Sequence, residues 1–377
     1  MSVVSGLRRR RWAAVSAGAA ALVAALALGP TLTTGAGGDT ARPAPRALLT
    51  AALRSRTVSF DALASSRGTL GLPDLPRFGS VAALLGGTTR ARVWWATPDA
   101  WRVDVVSVTG EQGTYGTGDG IVTWDYERDE VVQVVGEPGA RLPRADDLLA
   151  PQATRRFLAG VGADDRVVGL ADTSVGGRPA YGLRVLPADP RSTIGRADVW
   201  VDRASALPLR LRLTSRSGEV ALDTRLSDVH LGAPPAAVVT APQPAGARVE
   251  VEVAPDLVAA IDQTPRFALP ASLAALPVTR SLLQGTATYG TGLVRFSVLP
   301  LPRRTAHDVL ANARSAGAAK VEVTGGEAVT ISSSLLNAVV ARGSDRQHSY
   351  LLAGLVGADV LTAAARELLA DPPALTS

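Results

Sequence analysis

The chain has 377 residues, 46% of them hydrophobic, which is enough for two domains of ordinary size with real cores. It has no cysteine, which excludes disulfides, thiolate metal sites, cysteine nucleophiles and a lipid-modified cysteine anchor. The formal net charge is +5, but Arg8 to Arg11 supply four of those charges, and setting them aside leaves 35 basic residues against 34 acidic ones. A phosphate backbone needs a concentrated basic face, so nucleic-acid binding is excluded.

Arg8 to Arg11 are followed by a run of small and apolar residues from Trp12 to Gly29. A positive step before an apolar run is an export signal, so residues 1–36 are predicted to be a signal peptide or membrane anchor. At about 18 residues the run is long for a cleaved signal and just sufficient to span a bilayer. Thr34-Gly35-Ala36 offers small residues to a signal peptidase. Secretion and anchoring by residues 12–29 therefore both stay open, and either places the folded part outside the cytoplasm.

Residues 37–46 read as a linker, rich in Gly and Pro. Ala47 to Arg56 then suggests a short helix leading to a strand at Thr57 to Phe60. Leu70 to Gly87, carrying Pro73 and Pro76, reads as a long, partly apolar loop. From there period-two alternation dominates. Val93 and Trp95 oppose Arg92 and Trp94; Trp101 and Val103 oppose Arg102 and Asp104; Val122, Trp124 and Tyr126 repeat the pattern. Ala145 to Gly160 reads as a helix that Pro151 kinks. Strands resume at Tyr181 to Leu186, Ala197 to Val201 and Leu207 to Leu213, where leucines alternate with Pro208, Arg210 and Arg212. One leucine face and one arginine face imply an antiparallel sheet buried on one side. After a last strand at Val249 to Val253, residues 255–277 form a Pro-punctuated connector. Residues 278–372 form a smaller α+β unit with helices at Thr305 to Ser315 and Ala358 to Leu369. The pentamer Thr-Tyr-Gly-Thr-Gly occurs at Thr114 to Gly118 and Thr288 to Gly292 and is read as a recurrent turn.

Catalytic inventory is thin. His230, His307 and His348 have no histidine three or four residues away, and no nucleophile elbow, zinc helix or Walker loop is present. Gly116 to Gly120 precedes a strand, so it reads as a hairpin turn and not a phosphate loop. Asp146-Asp147 and Asp164-Asp165 read as helix caps and solvated charge. No enzyme activity, cofactor or metal is expected.

The remaining signal is apolar and aromatic. Val93, Trp95, Trp101, Val103, Trp124, Val199, Val201, Leu209 and Leu211 are expected to share one face and line a cavity for a lipid or acyl chain. An ordinary core built from the same residues is the plainer alternative. Trp94 and Trp200 fall on the opposite parity.

Several segments resemble a known family. Arg92-Val93-Trp94-Trp95, Trp101-Arg102-Val103-Asp104 and Gly120 to Tyr126 are similar to the LolA superfamily of lipoprotein carriers. Gly177-Arg178-Pro179, Asp198 to Asp202 and Leu207-Pro208-Leu209 resemble its RseB/MucB-like branch, as does Tyr289 to Val298 in the second unit. The resemblance spans roughly Leu48 to Ala370. It implies an α+β, mainly β fold: a half-open antiparallel β-barrel with helices at its mouth over residues 47–254, then a smaller α+β C-terminal domain. It also implies binding of a lipid or lipidated protein in the cell envelope, with a membrane anti-sigma factor or a lipoprotein as partner. The expected function is an RseB-like sensor that regulates an anti-sigma factor. A lipid or lipoprotein carrier is the alternative, and an unrecognised hydrolase a remote one.

Overall fold

The structure is a computed structural model describing residues 42–69, 86–107, 110–136, 144–242, 246–253, 267–280, 286–315, 317–345 and 347–374. The expected signal or anchor, half of the linker, most of the long loop after Gly68 and most of the Pro-punctuated connector lie outside the described residues. None of the described helices is long and apolar enough to cross a membrane.

Helix α1, Pro45–Arg54, opens with proline in its first turn, where the missing N–H would have no helical partner. A 3-10 turn, Ser55–Thr57, takes in the first residue of the stretch expected to be a strand, and the strand itself starts at Phe60. Twelve strands then build one sheet: β1 Phe60–Gly68, β2 Thr88–Thr97, β3 Ala100–Ser107, β4 Gly110–Thr117, β5 Gly120–Asp125, β6 Glu130–Val135, β7 Arg166–Val175, β8 Arg178–Leu186, β9 Ile194–Asp202, β10 Pro208–Ser215, β11 Val220–Leu231 and β12 Arg248–Val253. Their spatial order is β12-β6-β5-β4-β3-β2-β1-β11-β10-β9-β8-β7, and no pairing joins the two end strands among the described residues. The sheet is antiparallel except where β12 runs parallel to β6.

Between β6 and β7, the expected single helix is two pieces. A 3-10 turn, Ala145–Leu148, ends at Leu149 in extended backbone, and helix α2, Ala150–Leu158, begins there with Pro151 in its first turn. The proline therefore starts a helix instead of kinking one. A single turn of helix, α3 Ala236–Val239, follows β11.

A second sheet holds β13 Ser272–Leu273, β14 Leu276–Arg280, β15 Ala287–Thr291, β16 Val294–Pro300, β17 Ala319–Val321, β18 Gly326–Ser332, β19 Asn337–Gly343 and β20 Ser349–Gly354. Helix α5, Ala358–Ala370, packs Leu361, Ala364 and Leu368 with Tyr289, Phe296 and Tyr350 on one face. Helix α4, Arg303–Ser315, packs Ala306 and Leu310 with Leu299, Val329 and Val340 on the other. Both copies of the Thr-Tyr-Gly-Thr-Gly pentamer finish a strand and enter the hairpin turn that follows it, in β4 and in β15.

In the first sheet one face is covered by α1 and α2, and the other carries arginines. On the arginine face Arg184 grips Asp198 through two hydrogen bonds of 2.5 and 2.8 Å, and Arg178 grips Asp202 at 2.7 and 3.2 Å. Arg210 and Arg212 both donate to Asp223. Arg210 also lies over Trp200, and Arg102 over Trp94, so the aromatic and charged residues of this face cover one another.

Two outcomes test this packing. Gly116 lies beneath Trp101, where an added Cβ would stand 2.1 Å from the indole nitrogen, whereas Gly118 has open space. Gly116→Val should lower stability by about 1–3 kcal/mol in urea unfolding, and Gly118→Ala should change it little. Burial pushes the Asp223 carboxyl up, but the bonds from Arg210 and Arg212 outweigh it and hold the carboxyl below its ordinary value. Because the folded-state value is depressed, this contribution is complete above the ordinary carboxylate value and is lost as pH falls from there through the lower folded-state value. Asp223→Asn should therefore cost about 2 kcal/mol at neutral pH, with the gap to the parent closing on acidification.

Candidate functional site: the helix-covered face of the first sheet

Residues paired across strands share a face, so register assigns the paired side chains, and Leu209, which falls in a register shift between Pro208 and Arg210, is placed by its packing with Val93 and Trp101. Phe60, Trp95, Trp101, Gly116 and Ile121 form one cross-strand row. Ala62, Val93, Val103 and Thr114 form the next, and Leu226, Ala64, Ala91 and Val105 a third. A fourth runs Leu183, Val199, Leu211, Thr224, Ser66 and Thr89, changing from apolar to hydroxyl-bearing side chains along its length.

Eight of the nine expected residues lie on this face: Val93, Trp95, Trp101, Val103, Val199, Val201, Leu209 and Leu211. Trp124 does not. It pairs with Gly113, one residue off the Thr114 row, which puts it on the arginine face with Tyr115 and Val122. There its ring stacks on Tyr126 at 4.0 Å, and it packs with Val131, Ala241 and Ala247. The cause is that the apolar stripe changes sides between β3 and β4. On β4 the helix-covered positions are Gln112, Thr114 and Gly116, while Tyr115 points the other way. Trp94 and Trp200 do fall on the arginine face, opposite Arg102 and Arg210.

The eight residues are packed, not open: Trp95 is the most exposed of them at 7%. Its ring stacks between Phe60 and Trp101, 6.5 and 5.5 Å away. Val93, Trp95, Trp101, Val103 and Leu209 pack with Leu149 and Ala150, which lead into α2. Val199, Val201 and Leu211 pack with Leu48, Leu49 and Ala52 of α1 and with Phe157 and Leu158 of α2. The two helices thus form a roof over the face. Thr224 ties that roof to the sheet, its hydroxyl donating to the Leu148 carbonyl at 2.5 Å.

Polar groups sit under and beside the roof. Thr154 and Ser66, at 0% and 5% exposure, have hydroxyls with no hydrogen-bond partner, and both amide atoms of Gln152 are buried without one. Among the described residues Arg155 reaches only Ser55 Oγ, at 3.4 Å. Burial, with Arg56 adding a like charge, pulls its guanidinium down to about 10. These groups carried no recognisable motif; only the polar residues of Gln152 to Arg156 beside apolar helix positions could have hinted at them.

A concavity of about 520 Å³ lies where the two sheets meet and is lined by Arg191, Thr193, Arg216, Ser333, Ser334 and Asp359 among others. The β8–β9 loop closes this junction. Thr193 N donates to the Leu355 carbonyl, its hydroxyl to the Leu335 carbonyl at 2.5 Å, and Gly357 N to the Arg191 carbonyl. Among the described residues no group of three or more His, Cys, Asp or Glu is arranged to hold a metal ion.

No family model and no curated protein matches the chain. Solved structures do. A structure of MucB in complex with MucA(peri) is 19% identical, covers 85% of this chain and 97% of its own, and gives a TM-score of 0.45. The Pseudomonas aeruginosa MucA/MucB complex gives 19% identity, coverage of 85% and 96%, and a TM-score of 0.43. A LolA superfamily protein from Nitrosomonas europaea gives 15% identity over 53% of this chain and 99% of its own, with a TM-score of 0.23. The chain is similar to MucB and to proteins of the LolA superfamily, the same two groups that its sequence motifs resemble.

Proposed function

We propose that the chain is an extracytoplasmic binding protein for an acyl chain, borne by a lipid or a lipidated protein, and that it acts as an RseB-like sensor that regulates a membrane anti-sigma factor. The observation that carries the binding reading is the roofed apolar face. Eight apolar residues line it, and the cover consists of two helices of ten and nine residues, one of which buries only Leu48, Leu49 and Ala52. Two leucines are worth roughly 3–6 kcal/mol of burial, and about eight methylenes at ~0.8 kcal/mol each match that. A long acyl chain can therefore replace α1 on the face at no net loss of apolar burial. The same side chains act as core in one state and as a chain-binding surface in the other.

Export by residues 1–36 supplies the location. The regulatory part rests on the resemblance of the motifs to the RseB/MucB-like branch and on the division into units of residues 47–254 and 278–372. A carrier would need only the first of these.

Native mass spectrometry of protein purified from its own host should show a co-purifying acyl-bearing species. In vitro, a brominated fatty acid should quench Trp95 and Trp101 but not Trp94, Trp200 or Trp124. Trp101→Phe should then remove much of the quenching, with Trp94→Phe and Trp124→Phe leaving it unchanged. Equal effects from all three variants would defeat the binding face, because Trp94 and Trp124 lie across the sheet from it.

A further inference from the structure

We propose that the α2 side of the seam between α1, its 3-10 turn and α2, covered by α1 in the unliganded protein, binds the anionic head group, a carboxylate or a phosphate, of the amphiphile whose chain occupies the helix-covered face, with Arg155 as the contacting cation and the Gln152 amide as second donor. This deepens the acyl-binding reading and rests on it.

The arginines at the start of α2 and on the opposite face of the sheet are held by aspartates. Arg144 is held by Asp146 and Arg156 by Asp147, at the same helix start. Arg178, Arg184, Arg210 and Arg212 all have aspartates. Arg155 stands among these pairs with a serine hydroxyl as its one hydrogen-bond partner among the described residues and with Arg56 as its charged neighbour. Taking a guanidinium out of water is costly unless an anion accompanies it, and a like charge adds to that cost.

The groups around it repeat the imbalance. Gln152 precedes Arg155 by three residues on α2, so the two side chains neighbour each other along the helix. Both Gln152 amide atoms are buried and unpaired, as are the hydroxyls of Thr154 and Ser66. Buried polar atoms are nearly always satisfied, so the Gln152 amide, whose NH2 lacks an acceptor three residues before a cation with no carboxylate, points to a missing acceptor that is not part of the chain. A carboxylate or phosphate fits: it accepts from the guanidinium fork and from the amide NH2 at once. The floor beside the seam is low, because Ala62, Ala64 and Ala91 occupy the rows that continue from Ser66 on β1 and β2. A chain attached to a head group at Arg155 therefore has small side chains to run across.

The experiment measures binding of palmitate, methyl palmitate and hexadecyl phosphate to the full exported protein and to Arg155→Met, Arg155→Lys and Gln152→Leu. The parent protein should bind palmitate and hexadecyl phosphate about tenfold or more tightly than the ester. Arg155→Met should abolish that preference and leave ester affinity intact, Arg155→Lys should keep part of it, and Gln152→Leu should reduce it. Removal of a half-buried cation with no carboxylate partner should also leave unliganded Arg155→Met at least as stable as the parent, which a merely structural arginine would not allow. Equal binding of acid and ester by the parent, or an undiminished preference in Arg155→Met, overturns the head-group site while the acyl reading stands. Should Arg155→Met not fold, that too overturns it. Competition by inorganic phosphate at the same concentration as hexadecyl phosphate would make the seam a free-anion site and overturn the amphiphile. If neither palmitate nor its ester binds, the acyl reading itself has failed.

Discussion

Side chains alternate across a pleated strand, and the first sheet is governed by that constraint, because twelve strands have far more surface than three short helices can cover. One face of β8 to β11 and β1 to β3 is covered by α1 and α2 and carries Val, Leu and Trp. The other face must meet water, and it does so with arginines held in fork geometry by aspartates one strand away. A guanidinium spread over Trp94 or Trp200 keeps a large ring on the wet side without leaving it bare. The pairing is thus a consequence of one-sided burial. Isolated surface ion pairs contribute little, but these share partners and stack on rings, which restricts each side chain once for several contacts.

The constraint also explains what could be read from the residues and what could not. Leu207 to Leu213 and Trp101 to Val105 alternate cleanly, so their faces were legible, as were the parity of Trp94 and Trp200 and both helices of the second sheet. Trp124 was misplaced because parity is inherited through turns and through the intervening strand. The β4 segment, Gly110–Thr117, has glycines and polar residues on both sides and gives no sign that its one large residue, Tyr115, has changed face. The Ala145 to Gly160 stretch misled for another reason. Its composition is helical throughout, and only the fixed geometry of proline decides that α2 starts afresh at Ala150. The polar seam at Arg155 lay beyond sequence reasoning, since an arginine's lack of a carboxylate is a property of the folded neighbourhood alone.

Packing couples the roof to the second sheet. Leu293 and Leu335 belong to the same buried cluster as Leu48, Leu49, Phe157 and Leu158, so residues of the second sheet complete the core under α1 and α2. The end of α2 is close-fitted as well: Gly160 lies where a Cβ would come within 3.1 Å of Leu293 and 3.4 Å of the Gly292 carbonyl. A close-packed core does not stretch; it keeps its contacts or exchanges them for others. Whatever displaces α1 or α2 from the helix-covered face must therefore unpack Leu293 and Leu335 or carry them along, and with Leu335 goes the carbonyl that receives the Thr193 hydroxyl at the junction. That gives the two sheets a physical route for coupling, through contacts that are either made or broken. Linkage then requires that a partner favouring one arrangement of the junction change ligand affinity on the far side of the roof by the same factor that the ligand changes the partner's.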